Sequence, residues 1–258
     1  MPKLILRPFQ KEDVTFIRKH DYRVLIANAP GTGKTIECLA CLKMDRKKLT
    51  PMVVVCPPSV AHNWRRETKK WCPWAKVYIV KGHKIRLPRK HIDVIIVPWS
   101  ILAARYLQIL ARKPQFLVVD EAHFAKNEEA LRSQALQIIA KRTPHLLLLT
   151  GTPLQNSLPE LWSLLNFLLP HIFHSVDNFE RWFNKPFENF GSRNDKVAHQ
   201  STINEEEKLL IIHRLHQILR PFLLRRVKTD VLDQLPQKVE RVLKCELSAW
   251  QTVLYRQI

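Results

Sequence analysis

Residues 24–35 read Val-Leu-Ile-Ala-Asn-Ala-Pro-Gly-Thr-Gly-Lys-Thr, an apolar segment of strand length that runs into a glycine-containing loop. A segment with helical periodicity follows, and this order of strand, loop and helix is the one that phosphate binding requires. Gly31 and Gly33 allow backbone N–H groups to turn toward phosphate oxygens. In such a loop Lys34 reaches the β- and γ-phosphates of ATP, and the Thr35 hydroxyl binds Mg²⁺. The residues predicted to contact the nucleotide are Asn28, Ala29, Pro30, Gly31, Thr32, Gly33, Lys34 and Thr35.

The same stretch departs from the general phosphate-loop pattern at one position, because Asn28 stands where that pattern has its first glycine. An ordinary turn that caps a helix is the alternative interpretation. The presence of both the strand and the helix on the two sides of the loop favours phosphate binding.

Short apolar segments alternate with helical segments from this loop outward, as far as residue 150. The predicted strands are 24–27, 52–56, 77–80, 94–97, 116–120 and 146–150, and the predicted helices are 35–43, 60–71, 101–111 and 130–140. Unbroken apolar strands that alternate with helices indicate an α/β fold, a parallel sheet with helices on both faces. After residue 153 the pattern is mostly helical, with candidate helices at 158–169, 176–183 and 205–219 and no convincing strand among them.

Two further motifs follow predicted strands. Asp120 and Glu121 end the strand 116–120 in the string Val-Val-Asp-Glu-Ala-His, where Asp120 can hold Mg²⁺ and Glu121 can orient the attacking water. The next strand ends in Thr150-Gly-Thr-Pro, whose hydroxyls at Thr150 and Thr152 can sense the γ-phosphate. With the loop before them, these motifs make Lys34, Asp120 and Glu121 the predicted catalytic residues, and Thr35 and Asp120 the predicted metal ligands.

The charge of the chain indicates a polyanionic partner. It has 258 residues, with 42 Lys and Arg against 23 Asp and Glu, a formal net charge of +19. Nucleic acid is the first candidate partner and an anionic membrane the second. No apolar run of membrane-spanning length and no N-terminal signal is found, so we expect a soluble, intracellular protein without a membrane partner. Five scattered cysteines are too few for a disulfide scaffold, which fits a reducing compartment. Cys38 and Cys41 have the spacing of a metal or redox pair, but they fall in a predicted helix without a second pair, so buried core thiols are expected there.

These motifs, in this order, resemble those of the superfamily 2 helicases, and the chain is most similar to their Swi/Snf-type chromatin-remodelling branch. The resemblance runs from residues 6–10, Leu-Arg-Pro-Phe-Gln, through Asp120-Glu-Ala-His to 149–156, Leu-Thr-Gly-Thr-Pro-Leu-Gln-Asn. It continues in 158–167, 179–183 and 219–228. It implies a RecA-like fold, a nuclear DNA-dependent ATPase that uses ATP and Mg²⁺, and duplex DNA, nucleosomal in chromatin, as a partner. Subunits of a remodelling complex are further partners that it implies.

The resemblance also implies roles for single residues. Gln10 matches the glutamine that recognises adenine, and Gln155 matches a position that couples hydrolysis to DNA engagement. Arg65, Lys81 and Ser100 lie in segments that match DNA-tracking loops. The family's usual loop reads Asp-Glu-Met-Gly-Leu-Gly-Lys-Thr, so the two acidic side chains ahead of the cradle are missing here.

Three segments are expected from the resemblance: a RecA-like ATP-binding core at 1–153, a helical extension at 154–240, and the start of a linker to an absent second lobe at 241–258. The second lobe, in cis or in trans, would supply an arginine to the active site. Full ATP hydrolysis is therefore expected to require it. The alternative is a non-catalytic module that keeps the fold and basic surface and uses them to bind nucleic acid or a partner.

Two histidine pairs have helical spacing, His171/His174 and His213/His216. No carboxylate or thiolate ligand of the kind expected at a metal site accompanies them in the sequence, so no metal site is predicted there.

Overall fold

A computed structural model describes residues 5–82, 87–125, 127, 130–151, 164–169, 220–234 and 250–251. Seven strands form one sheet in the order β3-β4-β2-β5-β6-β1-β7, and every neighbouring pair is parallel. The strands are β1 Val24–Ile26, β2 Met52–Cys56, β3 Val77–Ile79, β4 Val94–Pro98, β5 Phe116–Asp120, β6 His145–Leu149 and β7 Leu223–Leu224.

Six α-helices connect or precede these strands. They are α1 Pro8–Lys19, α2 Lys34–Met44, α3 Arg46–Leu49, α4 Pro58–Trp71, α5 Trp99–Leu110 and α6 Leu131–Arg142. Pro8 and Pro58 occupy first-turn positions of α1 and α4, where a missing backbone N–H costs nothing. Two 3₁₀ segments follow at Ala122–Ala125 and Lys228–Gln234, and residues 164–168 are also helical.

The two faces of the sheet bury separate hydrophobic cores. Successive side chains of a strand point to opposite faces, so Val54 and Val118 join one core while Val53 and Val119 join the other. The first core is covered by α1, α2 and α4, and the second by α5, α6 and the helical segment 164–168. This is why the central strands are apolar without interruption, with β2 and β6 buried at every position.

The predicted parallel sheet with helices on both faces is confirmed. Each of the six predicted strands is present with ends within one residue of the prediction, and the four predicted helices have ends within two residues. Helix α1, the four-residue helix α3 and strand β7 were not predicted. Strand β7 lies inside the predicted helical extension, and a two-residue strand carries no periodicity that a sequence pattern can detect.

Little else of the predicted extension can be compared. Of the candidate helix 158–169, residues 164–168 are helical, whereas 176–183 and 205–219 lie outside the described residues. The two histidine pairs lie outside them as well. The boundaries of the three segments stay predictions.

Candidate nucleotide-binding site

The carboxyl ends of three neighbouring strands meet at one edge of the sheet. Leu149 of β6 is in register with both Ile26 of β1 and Asp120 of β5. The loop after β1, the Asp-Glu pair after β5 and the Thr-Gly turn after β6 therefore leave the sheet side by side. Ligands of open parallel sheets bind at this edge, because loops and helix N-termini converge there.

The glycine-containing loop has the backbone conformation that its sequence predicted. Gly31 and Gly33 have φ values of 87° and 102°, in the left-handed region that side chains other than glycine rarely adopt. A Cβ atom at Gly33 would also collide with Nε2 of Gln10. Helix α2 begins at Lys34, directly after this glycine, so the N–H groups at the start of the helix lie next to the loop.

Gln10 braces the loop in this structure. Its Nε2 donates a 2.8 Å hydrogen bond to the carbonyl of Thr32, and its Oε1 accepts one of 3.0 Å from the backbone of Arg7. The side chain is buried, so these bonds fix the position of the loop relative to α1. The role of Gln10 toward adenine stays a prediction.

Lys34 lies against the loop and faces the acidic pair. Its Nζ donates to the carbonyl oxygens of Asn28 at 2.7 Å and of Ala29 at 3.4 Å. Burial lowers the pKa of Lys34, and the nearby charges of Glu121 and Asp120 oppose that shift. A half-buried ammonium group at this position can form a charge-assisted hydrogen bond to a phosphate oxygen.

Asp120 is held at three of its atoms. Its Oδ2 accepts a 2.8 Å hydrogen bond from the indole N–H of Trp64, and its Oδ1 accepts one of 3.0 Å from the backbone N–H of Glu121. Its carbonyl oxygen accepts a third bond, 3.1 Å long, from the indole N–H of Trp99. Burial raises the pKa of Asp120 above its ordinary value, and the bond from Trp64 acts in the opposite direction.

Glu121 occupies a strained backbone position. Its φ is 52°, a conformation that costs a residue with a side chain about 1 to 3 kcal/mol and that collects at functional sites. The side chain is 38% exposed, and its Oε2 lies 3.3 Å from Nδ1 of His123. Glu121 thus places a partly exposed carboxylate at the carboxyl end of β5, directly after Asp120.

The Thr-Gly turn after β6 completes this edge. Thr150 is fully buried, and its backbone N–H donates a 3.0 Å hydrogen bond to the carbonyl of Ile26. A Cβ atom at Gly151 would lie 3.1 Å from Cγ of Pro30 and 4.0 Å from Nζ of Lys34. The turn is thus packed onto the glycine-containing loop. Thr152 and Gln155 lie outside the described residues.

A buried polar network behind the loop was missed by the sequence analysis. Nδ2 of Asn28 donates to Oδ2 of Asp13 at 2.7 Å, and its Oδ1 accepts the backbone N–H of Arg226 at 2.9 Å. Nε of Arg226 donates to the other Asp13 oxygen at 2.6 Å, while a second nitrogen bonds Glu12 at 2.8 Å. Asp13 and Arg226 are 213 residues apart, so no local pattern links them.

The predicted metal ligands offer suitable atoms. The Asp120 carboxylate and the partly exposed Thr35 hydroxyl are both oxygen ligands, which Mg²⁺ prefers. Within the described part of the chain, no group of three or more His, Cys, Asp and Glu side chains could hold a metal. Mg²⁺ in nucleotide sites typically takes one or two protein ligands together with phosphate oxygens and water, and these two residues fit that pattern.

The three DNA-contact candidates lie on the other half of the sheet. Lys81 is exposed just after β3, Ser100 is exposed in the first turn of α5 after β4, and Arg65 is partly exposed on α4 after β2. Strands β3, β4 and β2 are neighbours, but α4 packs on one face of the sheet and α5 on the other, so Arg65 and Ser100 belong to helices on opposite faces. Across the residues described, no helix has the length and apolar character needed to cross a membrane.

Comparisons with known proteins give a consistent result. A family described as "SNF2-related domain" matches residues 9–258. The chain is 43% identical over 244 residues to "ATP-dependent helicase brm" of Drosophila melanogaster, covering 90% of this chain and 14% of that protein. It is 41% identical over 246 residues to "Nuclear protein STH1/NPS1" of Saccharomyces cerevisiae, covering 91% of this chain and 18% of that protein.

A solved structure agrees in fold. The "Sulfolobus solfataricus SWI2/SNF2 ATPase core in complex with dsDNA" superposes with a TM-score of 0.76 at 26% identity. The match covers 98% of this chain and 51% of that one. The chain thus spans about half of a solved ATPase core and less than a fifth of these two relatives.

Proposed function

Because the chain belongs to the SNF2-related domain family, we propose that it forms the first, ATP-binding lobe of a DNA-dependent ATPase that moves on duplex DNA and remodels chromatin. The observation that carries this proposal is the convergence of Lys34, Asp120 and Glu121 at one edge of the sheet. The charges of both carboxylates raise the pKa of Lys34 against the larger, opposite effect of burial. The helix that carries Lys34 begins at the glycine-containing loop.

The residues of this edge have separable tasks in ATP hydrolysis. The backbone of the loop and the Lys34 ammonium bind the β- and γ-phosphates. Thr35 and Asp120 would hold Mg²⁺, which neutralises charge on the phosphate oxygens. Glu121 orients a water molecule and accepts its proton as the water oxygen bonds to the γ-phosphorus. The bond from that phosphorus to the β–γ bridging oxygen breaks, and ADP and inorganic phosphate leave. Thr150, Thr152 and Gln155 are proposed to report the state of the γ-phosphate to the DNA-binding surface.

The proposed active site also needs residues from a second lobe, which would form the other wall of the nucleotide cleft. The chain corresponds to about half of a solved ATPase core, which supports a second RecA-like lobe, in cis or in trans, as the provider of that wall. An arginine from such a lobe is worth on the order of 10³ to 10⁵ in rate. Hydrolysis by the chain alone is accordingly expected to be slow.

Duplex DNA is the proposed partner on the other half of the sheet. Two observations support this: the solved neighbour is in complex with dsDNA, and the chain, in which Arg65, Lys81 and Ser100 follow three neighbouring strands, has a net charge of +19. Side chains of these types contact phosphates, which gives affinity without reading bases. Nucleosomal DNA, subunits of a remodelling complex and a nuclear location are proposed from membership of this family.

The proposal is tested by binding and by complementation. Lys34→Ala removes the ammonium that would meet the phosphates, and loss of a hydrogen bond to a charged group, about 1.5 to 3 kcal/mol, weakens ATP binding roughly 10- to 150-fold. Lys141→Ala, an exposed lysine at the end of α6, is the matched control and should bind ATP as the wild type does.

Both variants are then combined with a second lobe taken from a relative. DNA-stimulated phosphate release by wild type and Lys141→Ala, with none from Lys34→Ala, supports the motor. If Lys34→Ala keeps every function of the wild type, the chain is a binding module without catalysis.

A further inference from the structure

Two tryptophans from different helices hold the two ends of Asp120. The indole N–H of Trp64, on α4, donates to the carboxylate at 2.8 Å, and the indole N–H of Trp99, on α5, donates to the backbone carbonyl at 3.1 Å. Trp64 and Trp99 are 1% and 4% exposed, whereas Asp120, which accepts both bonds, is partly exposed at the edge of the sheet. An indole N–H is donor only, so each bond has one possible direction.

Trp64 is rigidly placed. Its ring belongs to the core between α4 and the sheet, and the hydroxyl of Thr68 donates a 2.7 Å bond to its carbonyl oxygen one turn later. Thr68 is itself fully buried. A packed indole on a helix of 14 residues therefore presents its N–H group at a fixed point in space.

The bond from Trp64 restricts the one torsion that matters for ligand geometry. The terminal torsion of an aspartate is broad, and without a partner its two oxygens exchange places freely. Here Oδ1 accepts the Glu121 N–H at 3.0 Å and Oδ2 accepts the Trp64 N–H. Each oxygen keeps one further acceptor direction, and these two directions are set by the two donors.

We propose that Trp64 is a positioning residue for Asp120, which orients the carboxylate for the Mg²⁺ of bound ATP, with Trp99 fixing the backbone beneath it. The inference rests on the proposed function, because it concerns the same metal. Partners that orient a metal ligand typically change metal affinity 10- to 100-fold when they are removed. Trp64 thus combines packing in the core with a polar contact to Asp120.

The test measures metal-dependent binding of nucleotide. Trp64→Phe keeps an aromatic ring and removes the N–H donor. A fluorescent, non-hydrolysable ATP analogue is titrated into the 258-residue chain in EDTA and then over a series of Mg²⁺ concentrations. We expect the affinity in EDTA to stay within about twofold of wild type, while the Mg²⁺ concentration for half-maximal binding rises about tenfold or more.

Trp71→Phe is the matched control. Trp71 lies on the same helix, and its indole N–H donates a 2.8 Å bond to the carboxylate of Glu67, away from Asp120. The chemical change is identical, so the Mg²⁺ dependence of this variant should equal that of wild type. A general loss of helix stability would alter both variants and would lower binding in EDTA as well.

The ring size of Trp64 is controlled separately. If Trp64→Phe fails to fold by circular dichroism, β-(3-benzothienyl)alanine at position 64 keeps the bicyclic shape and replaces the N–H by sulfur. A Mg²⁺ dependence equal to that of Trp71→Phe in the variant that folds overturns the inference alone. Absence of any metal-dependent nucleotide binding by the wild-type chain overturns the proposed function, and the inference with it.

Discussion

Asn28 and Asp13 are joined by a buried hydrogen bond of 2.7 Å, from Nδ2 of the amide to Oδ2 of the carboxylate. The carboxylate behind the loop therefore comes from α1. Arg226 bonds both residues, so the segment 223–226 is tied to the loop and to α1 at the same point. Strand β7 owes its place in the sheet to this contact as well as to its pairing with β1.

Exchange of the two side chains tests this arrangement. Asn28→Asp removes the donor and sets two carboxylates against each other, so we expect the free energy of unfolding to fall by about 2 to 3 kcal/mol. Adding Asp13→Asn restores an amide opposite a carboxylate and should recover at least half of the loss. Urea denaturation of the three proteins at pH 7 measures both effects.

A surface exchange of the same kind serves as the control. Asn63 is only partly buried on α4. Asn63→Asp should therefore change the free energy of unfolding by no more than about 0.5 kcal/mol. Equal stability of the single and double variants would show that Asn28 and Asp13 do not depend on each other.

Hydrolysis by the chain alone should be at least about 10³-fold slower than with a second lobe, because we propose that this lobe supplies the arginine that stabilises charge on the γ-phosphate. Release of phosphate in the presence of duplex DNA is the measurement, and Glu121→Gln gives the background without a base. DNA-stimulated turnover well above that background, by the purified chain with no second polypeptide, would contradict the division of the active site.

The proposed DNA surface predicts a separation of effects. Arg65→Gln should weaken binding of duplex DNA and reduce the slope of log affinity against log salt concentration by about 1, since one phosphate contact is lost. Binding of ATP should be unchanged. Arg142→Gln removes an exposed arginine at the end of α6, near the opposite edge of the sheet, and should leave the salt slope intact. If the two variants show the same slope of log affinity against log salt concentration, Arg65 does not belong to the DNA-binding surface.

The four described cysteines are predicted to be inert in the folded chain. Cys38, Cys41, Cys56 and Cys72 are fully buried, and burial raises the pKa of Cys56 to about 12 and that of Cys72 to about 11. The thiolate is the reactive form, so its fraction stays small as the pH rises from 7 to 9. Peptide mapping after iodoacetamide treatment should find these four unmodified in buffer and modified in guanidinium chloride. Fast labelling of Cys56 at pH 8 would show that this part of the core opens.

The parallel sheet could be predicted because each of its signals is local. A strand buried on both faces must be apolar throughout, and the phosphate-binding loop needs glycine at Gly31 and Gly33 for backbone conformations that other residues resist. The placing of Lys34, Asp120 and Glu121 at one edge followed from the rule that parallel strands end on the same side. These features depend on spacing within a few residues, which a sequence displays directly.

Other features were decided only by the tertiary structure. The strand β7, the bonds of Asn28 to Asp13 and Arg226, and the bond of Trp64 to Asp120 join residues that are far apart in the chain. Trp64 packs in the first hydrophobic core, and only the folded chain shows that its N–H group donates to Asp120. Such contacts form only where distant segments of the chain meet in the fold, and no local periodicity around either partner predicts them. From the sequence alone, the nucleotide loop could be predicted as a cradle for phosphate, whereas the residues that brace it and orient its neighbouring carboxylate became visible in the fold.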